Sequence, residues 1–300
     1  MHTIKELRLI CQTKSIGRSH DKKTKVDLFF SIYFTWIFLH IGISPNAVTV
    51  FSGILAVCGG ILLSVKSINI VILGVLFLHL YYILDYCDGE IARFYKRQSI
   101  TGHFLDWYML FVRDSAMFMG LAIGAYSIEP NKIILICGFL ASLTPIMEKS
   151  IINCGWTVIS WARFRSLKTG EDVIKDFDNF QPVGENPGKS GQIINNRSKK
   201  SLLFLTNYLI KSIKLFSTII FQHHWSPILL LALCLLQIML KYTMMISIDF
   251  RPVLIIYAGI IGPIFILVKI IRLVKKNAFE DGYKRLFYKK NDITSEDYFF

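Results

Sequence analysis

The chain has 300 residues, of which 53% are hydrophobic and 18% charged, with a formal net charge of +13 at pH 7. Its apolar residues fall in runs close to membrane-spanning length, with the charges clustered between them, which excludes a soluble globular domain. A positive balance of this size suits anionic lipid headgroups as well as nucleic acid. No nucleic-acid-binding module is visible, so no nucleic-acid partner is expected. Six cysteines (Cys11, Cys58, Cys87, Cys137, Cys154, Cys234) form no close pair and lie mostly in apolar runs, against both a zinc site and a disulfide framework.

Residues 1–25 form a basic collar of Lys5, Arg8, Lys14, Arg18, Lys22, Lys23 and Lys25, without the apolar core of a cleaved signal peptide. Leu28 to Ile41 is apolar and aromatic but too short for a full span. Tyr33, Trp36 and His40 suit the headgroup level, so this run reads as an interfacial amphipathic helix, with a buried half-span as the alternative. Ser44 is placed as an N-cap and Pro45 as the first helical residue of a first span ending at Leu63. After a turn at Lys66–Asn69, a second span runs from Ile70 to about Leu84 and continues as helix through an acidic stretch. The third span is expected from Gly102 to Ser127 and the fourth from Lys132 to Trp161. A hydrophilic loop at 163–200 follows, then a second surface-lying helix at 202–221, interrupted by Asn207, Lys211 and Lys214. Trp225–Met245 and Pro252–Val274 are the fifth and sixth spans, ahead of a tail at 276–300.

The fold class is therefore all-α, a polytopic membrane protein of six transmembrane helices with an N-terminal interfacial amphipathic helix, the membrane domain occupying 26–275. Lys and Arg concentrate in the N-terminus, beside the acidic stretch, in the long loop and at the C-terminus. The opposite turns hold only Lys66, Lys132, Lys241 and Arg251. That asymmetry places both termini, the loop and the acidic stretch at the cytoplasmic face.

The acidic stretch reads Asp85-Tyr-Cys-Asp88-Gly89-Glu-Ile-Ala92-Arg93, and eight residues later Gly102-His-Phe-Leu-Asp106. Spacings of three and seven put Asp85, Asp88 and Ala92 on one helical face. Gly89 and Ala92 leave that face bare for a ligand or a neighbouring backbone. Gly102 and Asp106 repeat the arrangement on the next helix. Two helices in a hairpin would then offer three carboxylates around one point, an oxygen-only donor set suited to Mg²⁺ or Mn²⁺. A basic rim of Arg93, Lys96 and Arg97 would add attraction for a phosphate ester or pyrophosphate. The plainer alternative is that the aspartates end a helix in water and pair with those cations.

Asp85, Asp88, Gly89, Ala92, Arg93, Gly102 and Asp106 resemble, at matching spacing, the signature of the CDP-alcohol phosphatidyltransferases, D-x-x-D-G-x-x-A-R, eight residues, then G-x-x-x-D-x-x-x-D. Pro45-Asn46-Ala-Val-Thr49 is similar to the Pro-Asn-x-x-Thr entry of that family's first span. The resemblance implies that Asp85, Asp88 and Asp106 hold divalent metal on the pyrophosphate of a CDP-linked donor. Gly89, Ala92, Arg93, Gly102, Asn46 and Thr49 would contact the donor. A phosphatidyl or substituted phosphoryl group would pass to an alcohol acceptor with release of CMP, in phospholipid biosynthesis. CDP-diacylglycerol is the favoured donor and a homodimer is expected, both by resemblance.

The chain departs from the pattern where the last aspartate is due, because Leu110 can neither bind metal nor accept a proton. Asp114 lies eight residues after Asp106, about 12 Å along a helix and roughly 80° round it. His103, three residues before Asp106, offers an imidazole able to act as a base near neutral pH. Asp106, Asp114 and His103 are thus the candidate catalytic residues. The second outcome of Leu110 is a chain that binds CDP-lipid or metal without turnover.

Arg113, Asp114, Glu148 and Lys149 lie within spans, where ionisable groups are functional or paired. They prompt a third reading, a cation or proton transporter, which lacks the broken repeated helices of many such proteins. Cross-helix pairs (Asp114 with Lys149, Glu148 with Arg113) are the plain alternative, as is a basic contact from Arg113 or Lys149 to the acceptor's phosphate. Gly184-Glu-Asn-Pro-Gly-Lys189-Ser190 is one residue short of a P-loop and is set aside. His223-His224 reads as a polar anchor.

Overall fold

The computed structural model describes residues 3–13, 22–169, 226–245, 248–275, 278–279 and 283. It contains eight helices among the described residues and no strand: α1 Ile4–Cys11, α2 Lys22–Ile41, α3 Pro45–Leu63, α4 Ile68–Phe94, α5 Ile100–Ile128, α6 Lys132–Thr169, α7 Ser226–Met244 and α8 Arg251–Lys275. Six of them, α3 to α8, are long and apolar enough to cross a membrane. The protein is thus the all-α polytopic membrane protein its composition demands. The expected helix at 202–221, His223-His224, the P-loop-like segment and most of the loop and tail lie outside the described residues. Where the loop is expected to begin at Arg163, α6 instead continues to Thr169.

The chain divides into two compact units, residues 1–147 with 217–266, and residues 148–216 with 267–300. In the second unit, Lys269 donates to Glu148 at 2.9 Å, and Ile159 and Tyr283 are buried in one small cluster. The candidate site lies wholly in the first.

In the first unit, α3 packs against both α4 and α5, while those two helices touch each other only sparsely. The expected hairpin of two adjacent motif helices is therefore corrected to a three-helix arrangement with α3 as a wedge. The sequence explains the wedge through consecutive glycines. A Cβ on Gly59 would meet the Gly74 carbonyl of α4 at 2.9 Å, and one on Gly60 would run into the Ala116 carbonyl of α5. Each glycine faces a different neighbour, so both backbones approach as only small residues permit. The main apolar core lies below, built from residues such as Leu63, Val75, Leu78, Phe118 and Leu121.

Two N-terminal findings differ from expectation. Residues 4–11 of the basic collar are helical, started by a capping box in which Thr3 and Glu6 bond each other's backbone amides, with Leu7 and Cys11 buried. The second helix begins at Lys22 rather than near Leu28, and it buries polar residues beside Leu28 and Ile32. Asp27, Ser31 and Thr35 are buried against the protein, while Phe29, Phe30, Tyr33, Trp36 and Ile37 are exposed. An apolar exposed face fits a lipid surround.

At the far end of the bundle from the acidic motif, the four last carbonyls of α3 need partners. Arg251, expected as a loop charge, is buried there at 1% exposure. Its guanidinium donates to the Leu63 and Val65 carbonyls at 3.0 and 2.7 Å and to Asp249 at 2.8 Å. Burial pushes the Asp249 carboxyl up, but hydrogen bonds from Arg251 outweigh this and hold it below the usual carboxylate range.

Candidate active site

The α4 helix carries Asp85, Asp88, Gly89, Ala92 and Arg93 along its last three turns and stops at Tyr95. Lys96 takes a left-handed conformation (φ 52°). The Arg97 amide then bonds back to the Ala92 carbonyl at 2.9 Å, a helix-ending loop of the Schellman kind. Ser99 restarts the chain as the N-cap of α5, its hydroxyl accepting from the Gly102 amide at 2.9 Å. Ser44 does the same for α3, accepting from the Ala47 amide at 3.3 Å. Two helix N-termini, each with positive dipole ends and unpaired amides, therefore open toward the motif.

Between these elements lies a cavity of about 520 Å³, lined by Pro45, Asn46 and Thr49 of α3, Asp88, Gly89, Ala92 and Arg93 of α4, the turn residues Arg97, Gln98 and Ser99, and Ile100, Gly102, His103 and Asp106 of α5. Its volume is in the range of small-molecule sites. Bare positions shape it. A Cβ on Gly89 would meet the Arg93 Nη1 at 3.1 Å, so that guanidinium lies across the glycine. A Cβ on Gly102 would meet the Asn46 Oδ1 at 3.2 Å, so the ends of α3 and α5 converge there. All six expected donor-contact residues, Asn46, Thr49, Gly89, Ala92, Arg93 and Gly102, stand on this wall.

The carboxylates are differently held. Asp88 accepts the Thr49 hydroxyl at 2.5 Å, the short distance of a charge-assisted bond. The same hydroxyl lies 3.1 Å from the Pro45 carbonyl. With one proton to give, it favours the nearer and anionic acceptor. Asp85, a turn deeper and off the cavity wall, accepts from the Tyr81 hydroxyl at 3.2 Å. It lies within electrostatic reach of Asp88, Asp106 and Arg113. Asp106 stands on the wall itself. Three like charges so close repel unless a cation joins them.

The donor set of carboxylate and hydroxyl oxygens fits the chemistry of Mg²⁺ or Mn²⁺. As the side chains stand, no three His, Cys, Asp or Glu among the described residues enclose a metal position. Asp85, Asp88 and Asp106 are the residues available to hold one.

The candidate bases separate. His103 is on the wall, and its Nε2 accepts the Trp107 indole N–H at 3.1 Å. Asp114 is off the wall, buried at 4% exposure, and accepts from Arg113 Nε at 2.8 Å. Arg113 is buried at 1% exposure and lies over the rings of Tyr81 and Tyr82, 5.2 and 4.6 Å from their centroids. It serves the depth of the site rather than the cavity surface. Leu110, half-buried, packs on the main apolar core.

Three wall residues escaped the sequence reading: Gln98, Ser99 and Ile100. Ser99 had a readable signal, an N-cap residue one position before the helix. Gln98 and Ile100 reach the cavity only because the turn folds back, and no local pattern announces that.

Residues 42–171 match the family model described as CDP-alcohol phosphatidyltransferase. That match bears out the resemblance carried by the motif residues. Proteins of this family transfer a phosphatidyl-type group from a CDP-alcohol to an alcohol in lipid biosynthesis, within a membrane. No curated protein matches the chain.

Proposed function

We propose, from the family match over residues 42–171, that this protein transfers a phosphatidyl or related substituted phosphoryl group from a CDP-linked donor, CDP-diacylglycerol favoured, to an alcohol, releasing CMP. The observation that carries the reading is the convergence on one cavity of acidic residues, two helix N-termini and the Arg93 and Arg97 side chains. Acidic groups call for a cation, while amides and guanidinia call for phosphate oxygens. A metal-bound pyrophosphate satisfies both.

Asp85, Asp88 and Asp106 would hold Mg²⁺ or Mn²⁺, whose chemistry there is neutralisation of the pyrophosphate and of the departing CMP. Thr49 keeps Asp88 turned toward the cavity. Gly89, Ala92 and Gly102 let the donor approach the backbone, and Arg93 and Arg97 bind its phosphates. Of the two candidate bases on the wall, His103 has its Nε2 lone pair already engaged by the Trp107 indole N–H. That leaves Asp106 to take the acceptor alcohol's proton as its oxygen forms the new bond to phosphorus. Asp114, ion-paired and away from the cavity, plays no part. The site is read as cytoplasmic from the distribution of Lys and Arg, and a homodimer as implied by the family resemblance.

Leu110 supports a second reading, binding of a CDP-lipid without turnover, because the residue packs on the apolar core and brings no polar atom to the wall. Of the charges that prompted a transport reading, Asp114 is paired with Arg113 and Glu148 with Lys269.

Release of CMP from CDP-diacylglycerol, with Mg²⁺ or Mn²⁺ and a panel of alcohols, separates these readings. The transferase reading expects CMP with at least one alcohol, and a loss of about a thousandfold or more in Asp88→Asn. Donor binding without CMP across the panel overturns it in favour of the binding protein.

A further inference from the structure

The face of α4 opposite the cavity carries a second polar cluster. Glu90 is fully buried. Its Oε1 accepts from the Gln12 side-chain amide at 2.7 Å and from the Ser31 hydroxyl at 2.6 Å, and its Oε2 accepts from the Thr35 hydroxyl at 2.6 Å. The Gln12 amide also donates to the Leu28 carbonyl at 2.6 Å. A carboxylate in such a place costs several kcal/mol unless its oxygens are bonded, and here three elements of chain contribute: Gln12 just past α1, Leu28, Ser31 and Thr35 of α2, and Glu90 of α4. Three residues on, Arg93 points its Nε at the carbonyl of Cys11, the last residue of α1, at 2.6 Å. With Nε so engaged, the Nη1 and Nη2 ends lie across Gly89 on the cavity wall. Arg93 thus spans both faces of α4, its stem tied to α1 and its fork in the site.

We infer that the N-terminal helix is a positioning strap for the phosphate-binding arginine: the Gln12–Glu90–Ser31–Thr35 network holds the end of α1 in place, and the Cys11 carbonyl there fixes the direction of the Arg93 fork. The role assigned to the fork rests on the donor reading above; the strap does not. Glu90 and Gln12 are positioning residues, touching no substrate. An arginine free to swing loses rotamer entropy each time it grips a phosphate, whereas one already tied at Nε has lost part of it on folding. The strap therefore acts on donor affinity more than on the chemical step.

Two measurements on the full chain in nanodiscs test this. The first follows maleimide labelling of Cys11, located by mass spectrometry. Cys11 is 1% exposed, and burial, with the Glu90 charge adding to it, pushes its thiol up to about 11. Wild-type Cys11 should label slowly. Gln12→Ala and Glu90→Ala should label at least about tenfold faster. Glu90→Gln keeps an oxygen for Gln12 and Ser31 while the Thr35 hydroxyl turns to accept, so it should stay close to wild type. Equal protection in all four proteins overturns the strap. The second measures CDP-diacylglycerol KM and kcat, or its Kd if turnover is absent. The two alanine variants should raise KM or Kd about tenfold with kcat within about threefold, and Glu90→Gln should restore it. Exposed Cys11 with unchanged donor affinity overturns the positioning role. A wild type that binds no CDP-diacylglycerol defeats the donor reading and, with it, the role given to the fork, while the labelling still decides the strap.

Discussion

The two ends of the helical bundle treat charge in opposite ways. At the end holding Asp249 and Arg251, a buried guanidinium meets a carboxylate and the carbonyls of Leu63 and Val65 at and just past the end of α3, and the network closes on itself. At the motif end, Asp85, Asp88 and Asp106 are gathered within electrostatic reach of one another, Asp88 and Asp106 on the wall of a cavity of about 520 Å³ and Asp85 a turn deeper. The first arrangement lowers the free energy of the fold; the second raises it in return for a place where a cation and a phosphate can enter. Burial of charge alone does not mark a functional site. What distinguishes the two ends is whether the gathered charges are opposite, as Asp249 and Arg251 are, or alike and set at a cavity.

Removing one charge at each end separates the two roles. Arg251→Leu leaves Asp249 without its guanidinium partner and the Leu63 and Val65 carbonyls without that donor, and should cost about 3–5 kcal/mol, read as a large drop in thermal unfolding temperature in detergent. Replacing Asp249 with Leu in the same protein should recover part of that loss. Asp88→Asn should behave oppositely, with unchanged or raised thermal stability because it relieves like-charge repulsion, alongside its loss of CMP release. A fall in stability comparable to that of Arg251→Leu would erase the contrast between the ends.

Thr49→Val tests a finer part of the motif end. It keeps the shape of the side chain but removes the hydroxyl that holds Asp88, and should lower kcat/KM for CMP release about tenfold, with little change in unfolding temperature. The smallest effect concerns pH at the closed end. The Asp249 carboxyl is held below its unfolded value, so its contribution to stability is present above that value, about 3.9, and is lost as pH falls through the folded value. Unfolding temperature should therefore drop on acidification in this window, and Asp249→Asn should lack that component.

Much of the fold was legible in the sequence because bilayer thickness imposes one length scale on every span. The first span matches Pro45–Leu63 at both ends, and the other helices end within a few residues of expectation, apart from α6, which runs on to Thr169. Helix α1 was missed although Thr3 and Glu6 form its capping box and Leu7 and Cys11 its buried stripe, because eight residues make only two turns, too few for a periodicity to stand out within a basic segment. Of the site, Asn46, Thr49, Asp88, Gly89, Ala92, Arg93, Gly102, His103 and Asp106 were legible and do meet at one cavity. The distance of Asp114 from Asp106 was legible as helical rise, whereas the burial of Asp114 beside Arg113 was not, since it depends on where α5 faces the core.

For the acidic motif itself, the sequence determined that Asp85, Asp88 and Ala92 share a face and that Leu110 brings no carboxylate. Helical periodicity and side-chain chemistry are properties of the chain alone. Only the tertiary structure decided what stands opposite that face and behind it. Contacts such as Thr49 with Asp88, 39 residues apart, or Gln12 with Glu90, 78 apart, arise because Gly59 and Gly60 let α3 wedge between the motif helices and because α1 and α2 bring hydroxyls and an amide to a buried carboxylate. Local sequence fixes which side chains a helix presents; packing at distances unrelated to sequence separation fixes what they meet.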